Sequence, residues 1–100
     1  MKQVILCADG DSLLCRVPDI VADDLGCYCL EFAGHWLWKG PERERFIRDG
    51  AAHYDALDFI DYLSRWLFPD CPSAVVENLG WTNLAPPEAG PYRNLPFFSF

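Results

Sequence analysis

Apolar positions along this chain change their rhythm four times, and each rhythm predicts a different element. Lys2 to Ala8 carries the β-prone run Val4, Ile5 and Leu6 and reads as a strand. Asp9-Gly10-Asp11 is a strong turn signal, and Ser12 to Val17 alternates enough to form a second strand, so the opening predicts a hairpin. From Pro18-Asp19 onward, apolar residues recur at Ile20, Val21, Leu25, Tyr28, Cys29, Phe32 and Trp36, in steps of one, three and four. That is a helical stripe, with Asp19 as its N-cap and Asp23 and Asp24 near the positive end of the helix dipole. Gly26 leaves a rival open, in which the helix breaks there and Cys27 to Phe32 is a strand. Gly40-Pro41 closes the segment on either reading.

Glu42 to Arg48 is charged, with Phe46 and Ile47 as anchors, and predicts a short helix or a loop ended by Asp49-Gly50. The second long helix is clearer. Asp55 caps it, and Asp58 three residues on makes an acidic version of the capping box. Ala56, Phe59, Ile60, Leu63 and Leu67 form its inner stripe, while Asp55, Asp58, Asp61, Tyr62 and Arg65 take the outer side. Asp61 and Arg65 have the spacing of a helical ion pair, and Pro69 stops the helix. Ser73 to Leu79 reads as a third strand ended by Gly80. Pro86, Pro87, Pro91 and Pro96, with Gly90, then predict an extended, polyproline-like tail finishing in Phe97-Phe98-Ser99-Phe100. The expected fold class is α+β: a small antiparallel sheet of about three strands packed against two main helices. Residues 1–84 form the expected domain, and 85–100 a tail packed on it or on a partner.

Composition narrows the function classes. The apolar fraction of 51% and 15% aromatics are enough for one core. No run approaches the ~18 apolar residues of a membrane span, and the apolar start is too short for an export signal, so a cytoplasmic protein is expected. The five cysteines, Cys7, Cys15, Cys27, Cys29 and Cys71, are then expected as free thiols. The 15 acids outnumber the 8 bases, and half of the bases (Lys39, Arg43, Arg45 and Arg48) fall in one short stretch. The rest of the surface is therefore strongly acidic. Such a surface favours a partner with a basic face and disfavours direct contact with nucleic acid or an anionic membrane.

Candidate chemistry is sparse. Cys27-Tyr28-Cys29, with His35 and His53, is a possible zinc set, but the one-residue gap and the missing second pair argue for buried thiols instead. Asp9 and Asp11 lack the rest of a calcium loop. Cys71, His35, His53 and Asp70 are the parts of a thiol nucleophile site without an oxyanion loop around them. Carboxylate pairs abound, yet most are explained by capping and helix dipoles. No glycine loop for phosphates or dinucleotides occurs. These residues point to no metal, no cofactor and no enzyme. Trp36 and Trp38 stand roughly 200° apart on a helix, so one is expected at the surface as an interface anchor, with Trp66 and Trp81 as further candidates.

The expectation is a small acidic protein-binding module. Its contact residues would be Asp55, Asp58 and Asp61 on the second helix, Asp23 and Asp24 on the first, Trp38, Arg43 in the basic strip, and Phe98 and Phe100 in the tail. A sharper version is an inhibitor that occupies the basic channel of a nucleic-acid-binding effector, as anti-CRISPR and anti-restriction proteins of phage and mobile elements do. The alternative is a structural or assembly subunit that forms a homo-oligomer through its aromatic tail.

Overall fold

A computed structural model describes residues 1–8, 11–81 and 94–100, with only the backbone of Trp81. The Asp9-Gly10 turn, the Pro86, Pro87 and Pro91 stretch with its expected polyproline character, and the side chain of Trp81 lie outside the described residues.

The chain is mixed α+β. Strands β1 (Lys2–Ala8) and β2 (Asp11–Val17) pair antiparallel from Lys2↔Val17 to Ala8↔Asp11, which is the expected hairpin. β1 is central, and Val4, Ile5, Leu6 and Cys7 are all fully buried. A run apolar on both faces is what a strand covered on both sides requires. The helical region opens with α1 (Asp19–Asp23) and α2 (Leu25–Glu31). It continues without a break in helical dihedrals through a π-helical turn (Phe32–Trp36) into α3 (Leu37–Lys39). After α4 (Arg43–Phe46), a two-strand ribbon forms from β3 (Ile47–Arg48) and β4 (Ala51–Ala52). Then α5 (Ala56–Tyr62) runs into a second π-helical turn (Leu63–Leu67). β5 (Ala74–Trp81) and β6 (Phe97–Ser99) complete a four-stranded sheet in the order β5-β2-β1-β6.

Several expectations need correction. The sheet has four strands and is mixed, because β6 lies parallel to β1, with Ile5↔Phe97 and Leu6↔Phe98 in register. The end of the chain is thus an edge strand of the domain's own sheet, tied by Ile5 N–H to the Pro96 carbonyl and by Phe100 N–H to the Cys7 carbonyl, both at 2.8 Å. β5 does not stop at Gly80 but passes through it with φ 83° and reaches Trp81. Leu79 is left out of the pairing between Ser12↔Gly80 and Leu13↔Asn78, so the strand accommodates a bulge there. The first helical break falls at Asp24 (φ -141°, ψ 43°), not at Gly26, and no strand forms at Cys27 to Phe32. Asp19 makes no capping bond, since Pro18 occupies that position; its carboxylate instead meets the N-terminal amine at 3.0 Å.

The charged segment resolves into a helix followed by a hairpin. Asp49 (φ 52°) and Gly50 (φ 78°) both take left-handed dihedrals, as the central pair of a tight primed turn requires. Gly40 is needed for another reason. A Cβ there would meet the Trp36 carbonyl oxygen at 2.5 Å, and its N–H already donates to that oxygen at 2.7 Å.

The core lies between one sheet face and the helices. Val4, Leu6, Cys15 and Val17 pack with Val21, Leu25, Cys29 and Phe32 from one helical segment and with Ala56, Phe59, Ile60 and Leu63 from the other. Phe32 is its hub, with ring centroids 5.1 Å from Tyr62, 5.4 Å from Phe59, 5.6 Å from Tyr54 and 6.2 Å from Phe100. Each such ring contributes about 1.5–3 kcal/mol by leaving water.

The helical faces differ from the expected ones, and beyond Leu63 a π turn is the reason. Widening a turn from four to five residues rotates everything after it by most of one position. Leu67, expected inside, is 39% exposed. Tyr62, expected outside, is buried at 5% exposure, with its ring against Phe32 and Trp36. Ile20 is exposed too, while Leu37 is fully buried.

Candidate functional site

The acidic face of α5 is held by internal contacts. Asp55 accepts from the Asp58 N–H at 3.1 Å and Asp58 from the Asp55 N–H at 3.0 Å, so the capping box is closed on both sides. Asp58 also faces Arg45 at 3.5 Å, and Asp61 pairs with Arg65 at 3.1 Å. Glu42 joins the two arginines, accepting from Arg45 at 3.1 Å and from Arg65 at 3.2 Å. The hydrogen bond from Arg45, aided by the charges of Arg65 and Arg45, holds the Glu42 carboxyl below its ordinary value of 4.5 against the opposing effect of burial. Asp58 is shifted the other way, chiefly because burial disfavours its charge. The guanidinium groups lie over Phe46 and Trp66, at 4.8 Å and 5.7 Å. Glu42, Arg45, Asp58, Asp61 and Arg65 thus form a lattice that joins α4 to α5 and its π turn.

The other residues singled out in the sequence are dispersed. Asp23 pairs with Lys2 at 2.6 Å. Trp38 is half-buried and donates its indole N–H to the Ala33 carbonyl at 3.1 Å; Trp36 is half-buried as well, so neither is the exposed anchor expected of that pair. Trp66 is 42% exposed. Arg43 is exposed, with no carboxylate in ion-pair reach among the described residues. Phe98 and Phe100 meet edge to face, with ring centroids 5.0 Å apart, and pack on the core.

Asp24 is different, because it opens into a groove of about 400 Å³ between α2 and the end of the second helical segment. The lining residues are Asp24, Cys27, Tyr28, Glu31, Tyr62 and Leu67. Four of them stand at positions i, i+3, i+4 and i+7 along α2 and its cap, which is one helical face. Tyr28 therefore sits between two carboxylates about 10 Å apart along the axis. Tyr62 comes from across the groove and Leu67 forms the far wall. No Lys or Arg lines it. Each π turn begins directly after a lining residue, the first after Glu31 and the second after Tyr62. The second turn is also what takes Leu67 off the core and brings it to the groove.

The groove's polar groups are only partly satisfied. Glu31 meets His35 Nδ1 at 2.6 Å through one oxygen. Asp24 accepts from the Cys27 thiol, which raises the thiol's pKa and keeps it protonated. The Tyr62 side chain is more than nine-tenths buried, and the residue lines the groove, where its hydroxyl is open to a ligand. Its pKa is raised, first by burial and then by the Glu31 and Tyr28 groups that face it, so the phenol stays neutral in ordinary conditions.

The thiols do not gather. Cys27 is exposed and Cys29 is buried, as neighbours on a helix diverge, and Cys7 and Cys15 are buried in the sheet. Burial raises the Cys15 pKa to about 12 and pushes that of Cys29 up strongly. Cys71 contacts the Met1 sulfur at 3.1 Å, while His35 is engaged by Glu31. Among the described residues, no group of three or more His, Cys, Asp or Glu is placed to hold a metal ion, and no helix is long and apolar enough to cross a membrane.

Comparison with known proteins adds no identity: the chain matches no protein-family model, no curated protein and no solved structure.

Proposed function

We propose that this protein is a small acidic binding module for a partner with a basic face, and that the α2 groove is the centre of its contact surface. The observation that carries this reading is the contrast in charge pairing. The α5 carboxylates are matched by arginines, whereas Asp24 and Glu31 line an open groove with no arginine or lysine, Glu31 meeting only the exposed His35 through one oxygen. Exposed Leu67 in its wall and the Tyr28 ring supply the apolar and aromatic contact that carries energy in most interfaces. Carboxylates around such a patch steer a basic partner and set its register.

The specific form we favour is an inhibitor that occupies the basic, nucleic-acid-binding surface of an effector. A net charge of -7 supports it, as does a chain small enough to sit in a channel. The assembly alternative gains less support. It needs Phe98 and Phe100 free for a second copy, and both are engaged in the protein's own sheet.

The experiment is capture of the partner from native lysate of the source cells, with the captured protein identified and challenged by salt and by duplex DNA. The reading expects a basic nucleic-acid-binding protein that is released between about 0.1 M and about 1 M salt and competes with DNA. A neutral or acidic partner that is indifferent to salt would contradict it.

A further inference from the structure

We propose that the α2 groove is a receptor for a single arginine guanidinium presented by the partner, an inference that rests on the binding reading above and names the group it recognises. The first ground is donor and acceptor balance. Every charged group lining the groove is an acceptor: Asp24 at one end and Glu31 at the other. Tyr62, a side chain more than nine-tenths buried, lines the groove and adds its hydroxyl as a further acceptor there. A guanidinium is the complement of that set, since it carries five N–H donors and no acceptor. An anion would be repelled, and a neutral group would leave Asp24 without a cation and the second oxygen of Glu31 unused.

The second ground is shape. Tyr28 borders the groove with aromatic surface, and a planar cation stacks on a ring while its edge donates to flanking carboxylates. Leu67, 39% exposed in the groove wall, offers apolar surface for the three-carbon stem of an arginine. An ammonium has the charge but neither the plane nor the fork, so lysine satisfies fewer of these groups. The same groove is a poor metal site, because its two carboxylates stand on one helix seven residues apart and no third ligand joins them. Glu31 keeps one oxygen for the ligand while its other holds His35.

The test needs no partner. Aromatic ¹H–¹³C correlation spectra of the full chain are followed while N-acetyl-arginine amide is added, then N-acetyl-citrulline amide, N-acetyl-lysine amide and free arginine. The expected result is a saturable shift of the Tyr28 and Tyr62 ring signals with arginine amide, with apparent affinity about tenfold weaker for the neutral citrulline. Lysine amide and free arginine are both expected to bind more weakly than arginine amide, the latter because its own carboxylate is repelled. Glu31→Gln and Tyr62→Phe, with their fold checked by the unshifted signals of Tyr54, are expected to weaken arginine amide several-fold.

Equal shifts with citrulline, or none with arginine, overturn the inference. A lysine response as strong as that of arginine overturns the guanidinium assignment. Tighter binding of free arginine points to a metabolite site and overturns the role of a partner. Because the titration involves no protein partner, its failure leaves the capture experiment standing, and failure of the capture leaves the titration standing.

Discussion

Two helical faces of this protein carry the same residue types and end in opposite states. On α5 and its π turn, Asp58 and Asp61 meet Arg45 and Arg65, and Glu42 ties the two arginines together. On α2, Asp24 and Glu31 open into a groove lined by two tyrosines and no base. A carboxylate count cannot separate these cases. What separates them is the arrival of α4 against α5, which brings Arg45 over from a distant part of the chain. Acidity becomes structure where a base is delivered and a recognition surface where none is.

The comparison is broken most severely by removing what both faces share. Phe32→Ala takes the hub ring from beneath both helical segments and is expected to destabilise by about 3–5 kcal/mol, read by chemical denaturation. A loss below about 1 kcal/mol would show that the segments hold together without that ring. Next comes Ser64, whose hydroxyl accepts the Ser73 N–H at 2.9 Å and donates to the Ser73 carbonyl at 3.1 Å, joining the second π turn to the start of β5. Ser64→Ala leaves buried backbone groups unpaired and should cost about 1–3 kcal/mol, with earlier amide exchange at Ser73.

The lattice on α5 should matter less, and its signature is pH. Glu42 is held below its ordinary value of 4.5 by Arg45 and Arg65. Its stabilising effect is therefore complete above that value and is lost as pH falls through the lower folded value. The pairs are largely at the surface, so the effect should stay below about 1 kcal/mol and shrink in salt. Melting temperatures of the native protein and Glu42→Gln, measured from neutral to acid pH, should differ most near neutrality and converge in acid. A constant difference across that range would remove Glu42 from the account. The smallest expected stability effect belongs to the groove: Asp24→Asn and Glu31→Gln should each change stability by less than about 0.5 kcal/mol.

Local chemistry made part of this legible. The β1–β2 hairpin followed from a β-prone run before an Asp-Gly turn, and the Asp55–Asp58 capping box and the Asp61–Arg65 pair followed from spacing alone. The Asp49-Gly50 turn obeys the same rule as the first hairpin and was open to the same reading, but the strands beside it are two residues each and give almost no alternation. The parallel pairing of β6 with β1 joins the two ends of the chain, and no local pattern encodes it. The π turns defeated the helical wheel. A 3.6-residue period places Leu67 inside and Tyr62 outside; the widened turn moves Leu67 off the core, while Tyr62, which precedes it, is drawn inside by the rings of Phe32 and Trp36. That reversal hid the groove, since Tyr62 and Leu67 are two of its walls. On α2 the spacing of Asp24, Cys27, Tyr28 and Glu31 was visible, but Tyr28 reads equally well as part of the apolar stripe. Asp24 is the one groove residue that charge reasoning singled out.

The central claim is that the groove carboxylates Asp24 and Glu31, and not those matched by arginine, meet the partner. It is tested most directly by titrating N-acetyl-arginine amide into two double variants, Asp24→Asn/Glu31→Gln and Asp58→Asn/Asp61→Asn, and comparing each affinity with that of the native chain. The account predicts that the groove variant loses most of the binding while the α5 variant keeps it. Retained binding in the first with loss in the second would contradict it.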